Sequence, residues 1–240
     1  MSYRKPTLTE TYAELHLAPE TLTEARFFDV VPKLREAGFT EIELVPAGLS
    51  VQIRAGHAVP RETQRVRCWK PGRKELTQVG EDLFVVNLTG DYPGWQAFVG
   101  LFNVGRAALE AGLGAVTLRS VNLLTIDRFR VPKKEFAASK YLDTGGSLIP
   151  QWYEECKESF DIDLGRGILE VDGRNRQVHV KVHAASDPVN VTFQANFHDR
   201  VAEDTDLEKL LERLHHESNE TFEAFITDHM RKDVMGGLLL

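Results

Sequence analysis

The sequence predicts an α+β fold in which antiparallel strand meanders are closed by helices, and its repeated outline suggests two similar halves packed into one unit. Two observations carry this expectation. From Thr40 to Leu88 the apolar residues recur with period two, and Trp95, Phe98, Phe102 and Leu109 then fall on one helical face. The same outline returns later, where strand-like runs between 159 and 197 precede a stripe of Leu207, Leu210, Leu211, Leu214, Phe222, Phe225 and Ile226. No repeating strand-helix-strand alternation is present, which argues against a parallel sheet. The boundary between the halves is expected near Gly112, giving 1–112 and 113–240 as parts of one compact domain. Each half carries an aromatic pair three residues apart, Trp95/Phe98 and Phe222/Phe225, and both pairs are expected in the core.

The elements follow in order. Residues 10–17 alternate Ala13, Leu15 and Leu17 with Glu14 and His16, the pattern of a half-buried strand. Phe27, Val30, Val31, Leu34 and Ala37 recur at helical spacing and stop at Gly38. Pro32 favours a shorter helix capped by Asp29, with the proline in its first turn, over one kinked helix. The runs EIELV, LSVQIRA, QRVRCWK and LFVVNL read as four short strands separated by VPAG, AGHAVP and KPGRK. A helix over 94–111 follows, then a central strand over 115–126. Residues 127–150 mix Pro, Gly-Gly and basic residues and read as a long crossover loop. A short helix near 150–158, strands at 159–171, 175–183 and 189–197, and a long amphipathic helix over 204–233 complete the chain.

Composition narrows the class of function. Of 240 residues, 42% are hydrophobic and 27% charged, the balance of a folded globular chain. No run of apolar residues is long enough to span a bilayer, and the opening MSYRKPTLTE lacks the apolar stretch of an export signal. Cys68 and Cys156 form no zinc or redox spacing and read as small hydrophobes in a reducing compartment, so a cytoplasmic location is expected. The net charge of −7 excludes an overall nucleic-acid coat but leaves local basic patches open.

No phosphate-loop, dinucleotide, zinc-protease, nucleophile-elbow or calcium-loop pattern occurs, so neither a cofactor nor a metal is expected. His179 and His183 sit four apart on a strand, about 13 Å along one face, too far to share a metal. Glu212 and His215 have helical ligand spacing without the second such motif that a dimetal site needs. Arg119 and Asn122 stand out because their strand neighbours are apolar. A buried arginine there requires an internal ion pair or backbone carbonyls, with an anionic ligand as the functional alternative.

Charge is unevenly distributed. Residues 54–74 hold Arg54, Arg61, Arg65, Arg67, Lys70, Arg73 and Lys74 against the single acid Glu62, and 119–140 are also basic. Residues 199–233 carry eleven acids and five bases. Arg65 and Arg67 project to one strand face and form a ladder suited to phosphates or to an acidic protein surface; the structural alternative is a solvated outer face that pairs with the acidic C-terminal helix. At the C-terminus, Leu238, Leu239 and Leu240 follow Gly236-Gly237 and are expected to dock on the domain or enter a partner groove.

TYAELHL at 11–17, Tyr92-Pro93-Gly94-Trp95 entering a helix, LRSVNLLTI at 118–126, and His215 followed by Phe222-Glu223-Ala224-Phe225-Ile226-Thr227 resemble a sporadically distributed bacterial family of conserved hypothetical proteins. Ser120 and Val121 stand where that family tends to carry an aromatic residue and isoleucine. The resemblance implies a cytosolic bacterial protein and brings no assigned catalytic or binding residues. The expectation is a non-enzymatic interaction or sensing subunit of a larger assembly, partnered by another protein or by its own copies, with no membrane contact. The alternatives are a nucleic-acid or nucleotide-binding module using 54–74 and 119–140, and an enzyme with dispersed catalytic residues.

Overall fold

Nine strands take the hydrogen-bonded order β2-β3-β4-β5-β1-β6-β9-β8-β7, with the neighbours β2/β3, β3/β4, β4/β5 and β7/β8 antiparallel. Together with the helices they confirm the α+β class. The computed structural model describes residues 3–18, 27–54, 57–80, 82–143, 160–168, 173–184 and 187–237. The strands are β1 Leu8–Leu17, β2 Glu41–Arg54, β3 His57–Trp69, β4 Glu75–Val79, β5 Leu83–Thr89, β6 Leu118–Val131, β7 Phe160–Ile168, β8 Arg174–His183 and β9 Val189–Arg200. The helices are α1 Phe27–Glu36, α2 Trp95–Leu113, α3 Ala138–Tyr141 and α4 Leu207–Phe225, with a 3-10 turn at Lys133–Glu135 and a π turn at Met230–Val234. No helix among the described residues is long and apolar enough to cross a membrane.

Two compact units are assembled from interleaved segments, which differ from the contiguous halves 1–112 and 113–240. One combines Met1–Glu10, Leu123–His198 and Asp206–Leu240, and the other Thr11–Asn122 and Asp199–Thr205.

In the Thr11–Asn122 unit, α2 buries Phe98, Leu101, Phe102, Ala108 and Leu109 against the strands. It comes in close because residue 105 is glycine: a Cβ there would lie 2.9 Å from Val86 Cγ2 and 3.3 Å from Thr77 Cγ2. α1 crosses α2 at Gly112, where a Cβ would lie 2.8 Å from Val30 Cα. The helix face of the sheet is continuous across four strands, because Leu44 pairs with Val66, Val66 with Val79, and Val79 with Phe84. Trp95 stacks on Phe98 at 5.2 Å, but only Phe98 is in the core; Trp95 is half-buried, contrary to the expectation that the whole pair is core.

Several boundaries depart from the sequence pattern. The runs EIELV and LSVQIRA form one strand, β2, because the chain passes VPAG in a β-bulge between Pro46 and Gly48 instead of turning. ELTQV forms β4, whose five residues alternate too briefly to stand out. α1 runs through Pro32, and Asp29 lies inside its first described turn instead of capping it. The proline gives up one amide bond, and α1 still buries Val30 and Leu34.

In the other unit, β6 continues through Asp127 to Val131, where a crossover loop was expected. Its alternation persists there, with Asp127, Phe129 and Val131 buried between exposed Arg128 and Arg130. α4 is capped by Asp206, whose carboxylate accepts the Lys209 amide at 3.2 Å. Phe222 and Phe225 of α4 both meet Phe193 of β9, at 5.3 and 5.4 Å, and Thr125 and Ser218 share a buried hydrogen bond of 2.8 Å. The predicted single helix over 204–233 stops at Phe225, because Ile226 turns extended to bridge Leu142. The helix expected near 150–158 lies outside the described residues.

The backbone at Gly236-Gly237 is held by the N-terminal segment and by the turn before it. Lys5 N donates to Met235 O at 3.0 Å, Arg4 N to Gly237 O at 3.2 Å, and Gly237 N to Arg231 O at 2.9 Å. Both glycines have positive φ, 75° and 73°, a conformation costly for other residues. Leu238, Leu239 and Leu240 lie outside the described residues.

Two glycines of α2, one in close contact and one not, make a matched test. Gly112→Ala should cost about 1–3 kcal/mol, since backbone atoms of α1 must move. Gly100→Ala, on the same helix with nothing within 4 Å, should instead stabilise by about 0.5–1 kcal/mol through helix propensity. Equal effects in urea denaturation would show that α1 does not pack closely at Gly112.

Candidate functional site

In the described part of the basic segment 54–74, Lys70, Arg73 and Lys74 are closed on acids. Lys70 Nζ lies 2.6 Å from Glu75 Oε2 and over the Phe39 ring at 5.3 Å. Arg73 pairs with Glu43, lies 3.6 Å from Glu41 Oε2 and stacks on Trp69 at 5.0 Å. Lys74 reaches Asp91 at 3.4 Å. These partners come from β2, the start of β4 and the residues after β5. Acids of α4 are engaged within their own unit, as in Arg176–Glu217 at 2.6 Å and Arg231–Glu223 at 3.0 Å.

Arg65 and Arg67 share the strand face opposite the helices, as the alternation of β3 predicts. Arg67 Nε donates to the Gln78 side chain at 3.1 Å, and the stem of Arg65 lies over Gly80. By register, Arg54 opposes His57 at the far end of the β2–β3 pair.

Asn122 is 7% exposed, and its Nδ2 donates to Glu14 Oε2 at 2.9 Å. Its Oδ1 makes no hydrogen bond. Glu14 Oε2 also lies 3.6 Å from His16 Nε2. Burial pushes the Glu14 carboxyl up, but His16, Asn122 and the Arg65 charge together hold it below its ordinary value. Two residues singled out in the sequence, Asn122 and Arg65, are thus joined through a third, Glu14, that was read only as the polar side of a strand. The signal was available in the alternation of β1, where Glu14 and His16 face one way.

Arg119 is not buried, contrary to expectation. Its side chain is half exposed near the start of β6, where Nε donates to Leu17 O at 2.9 Å and a terminal nitrogen lies 3.5 Å from Asp82. Its partners are nonetheless the predicted kind, a backbone carbonyl and an acid. The structure therefore separates Arg119 from Asn122 by role: one fastens strands, the other faces the Glu14 cluster.

The reactive groups are muted. Cys68 lies on the helix face, and burial pushes its thiol up to about 11, leaving little thiolate at neutral pH. Among the described residues, no group of three or more His, Cys, Asp and Glu side chains could hold a metal ion. His215 sits on α4, where its ring meets Asn219 at 3.0 Å and burial drives its imidazole down to about 4. Asp127 of β6, 6% exposed, accepts from Thr7 at 2.8 Å. Burial pushes its carboxyl up to about 7, with the Thr7 bond opposing and Glu223 adding.

These last two groups pull stability in opposite directions. Between about pH 4 and 7 folded Asp127 keeps a proton that the unfolded chain, with an aspartate near 3.9, releases, so stability falls as pH rises. Between about pH 4 and 6.5 the unfolded histidine holds a proton that folded His215 refuses, so stability rises with pH. Asp127→Asn should expose the rising limb and His215→Gln the falling one, with wild type flatter than both in urea unfolding across this window. Three parallel curves would show that neither group is buried as described.

In comparisons with known proteins, no protein-family model matches the chain, and no curated protein matches it.

Proposed function

We propose that the protein is a non-enzymatic interaction or sensing subunit of a bacterial cytosolic assembly, and that the β2–β3 ribbon is its contact element for another protein. The observation that carries this reading is Leu44. It lies in cross-strand register with buried Val66, Val79 and Phe84, on the face that the helices cover elsewhere, yet it is 57% exposed. The apolar face of the sheet thus runs out from beneath its helices at the edge strand.

Stability supports the same conclusion. Among the described residues β4 pairs only with Val66–Trp69, so beyond those residues β2 and β3 pair there only with each other. A two-stranded ribbon is marginal in water unless something packs on its apolar face. Burying a leucine there contributes on the order of 1.5–3 kcal/mol. The muted thiol and the ion pairs that close Lys70, Arg73 and Lys74 give the described surface no comparable claim to chemistry.

A photo-crosslinking residue at position 44, introduced in living cells, should capture protein, either a second copy or another chain. The same residue at exposed Ala107 of α2 should capture far less. Leu44→Gln with the crosslinker at neighbouring Pro46 should abolish the product without changing the melting temperature. Equal yields at 44 and 107 would overturn the reading.

A further inference from the structure

We propose that residues 3–7 form a proton-operated strap, held closed on β6, α4 and the turn at 230–237 by protonated Asp127 and loosened as that carboxyl ionises. The strap is tied to each of these three parts by a different contact. Thr7 Oγ1 donates to Asp127 Oδ1 on β6 at 2.8 Å. The Tyr3 hydroxyl donates to the Glu223 carboxylate on α4, 2.7 and 2.9 Å from its two oxygens. Between them, Arg4 and Lys5 donate their amides to Gly237 O and Met235 O. Both side-chain ties are hydroxyls set on carboxyls, so the hold of the strap depends on the charge beneath it.

The two carboxyls are supported differently. Glu223 Oε2 also accepts from Arg231 Nε at 3.0 Å, and Arg231 reaches Asp228 at 3.1 Å, so the Glu223 charge is compensated. Asp127 is 6% exposed, and among the described residues the groups that act on it are Thr7 and the like-charged Glu223. Its neighbours on β6, Arg128 and Arg130, lie on the exposed side of the strand. β9, beside β6, carries apolar Val191, Phe193 and Ala195 on the side facing α4. The other buried titratable group of α4, His215, meets Asn219.

A neutral Asp127 suits this setting, because it accepts the Thr7 hydroxyl and adds no charge beside Glu223. Once ionised it is a second negative group in apolar surroundings, and lifting the strap lets water reach it. Burial holds the carboxyl at about 7 in the closed form, whereas a hydrated aspartate titrates near 3.9. The proton therefore favours closure. The opening constant rises about tenfold per pH unit between these two values and levels off above the higher one. This device goes beyond the protein contact at Leu44, which belongs to the other unit and does not enter the argument.

The test is native-state hydrogen exchange of the full chain from pH 5 to 8, followed by NMR and corrected for the intrinsic rate at each pH. The opening constant reported by the Arg4 and Lys5 amides should rise about fifty-fold between pH 5 and 7, and no more than about two-fold from 7 to 8. The Thr227 amide, held on Tyr141 O in the same unit, should exchange through a rarer opening. Asp127→Asn, neutral at every pH, should give a flat profile at Arg4 and Lys5. Thr7→Val removes the hydroxyl that opposes the upward push on Asp127 and should move the levelling point to higher pH, whereas Glu223→Gln should move it lower. These two variants carry the test if Asp127→Asn does not fold. Tyr3→Phe should raise the opening constant by a similar factor at every pH and keep the slope. Leu44→Gln should change none of these profiles, which separates failure of this proposal from failure of the protein contact. A wild-type profile without pH dependence would overturn the strap. So would an opening constant at Arg4 and Lys5 no larger than at Thr227, because Asp127 would then act only through global unfolding.

Discussion

The seat of α2 on β4 and β5 decides the character of everything else in the Thr11–Asn122 unit. It depends on an absent side chain, since a Cβ at Gly105 would strike Val86 and Thr77. With the helix pressed down at that point, the strand face bearing Thr77, Val79, Phe84 and Val86 becomes the core. Register then transmits the choice outward without further instruction. Val79 fixes Val66, and Val66 fixes Leu44, so the polarity of an edge strand is settled three strands away. Had the helix covered the other face, Arg65 and Arg67 would be the buried residues, at a large desolvation cost.

Much of this was legible in the sequence because burial leaves a periodic mark. Ala13, Leu15 and Leu17 alternate with Glu14 and His16, and each of the three apolar residues is fully buried. Phe98 and Phe222 lie in the core where their helical stripes place them. The failures occur where one local rule met a competing long-range one. Val-Pro-Ala-Gly carries turn chemistry, yet β3 pairs along both sides of it and turns the would-be loop into a bulge. Asp-Arg-Phe-Arg-Val was read as loop because basic residues and a following proline suggested solvent, while its alternation of Asp127, Phe129 and Val131 was already that of a strand. A buried aspartate at the head of that run is what disguised it.

The candidate site was legible in its cations and illegible in their partners. Clustering of seven basic residues between 54 and 74 is plain from composition, but which of them are neutralised depends on acids that register and turn geometry bring near. Glu41 and Glu43 reach Arg73 because β2 lies beside β3, and Asp91 reaches Lys74 because β5 returns beside β4. Asn122 shows the same limit. Its strand neighbours announced an unusual polar residue, but only the adjacency of β1 and β6 supplies Glu14 as its partner. Polarised charge along a sequence is therefore weak evidence of a free charged surface, since short-range acids can close part of it locally.

What survives that closure is concentrated on one element. The β2–β3 ribbon leaves the sheet with unlike faces, apolar at Leu44 and cationic at Arg65 and Arg67, and with an edge interrupted at Pro46. An uninterrupted edge would recruit any other strand by backbone hydrogen bonds, whatever its side chains. Interrupting it shifts recognition onto side chains, where shape and charge discriminate. The bulge contributes a second time, because the extra residue at Ala47 reverses the alternation of β2 just where β3 loses β4. One inserted residue thus both interrupts the edge and resets the register of the ribbon.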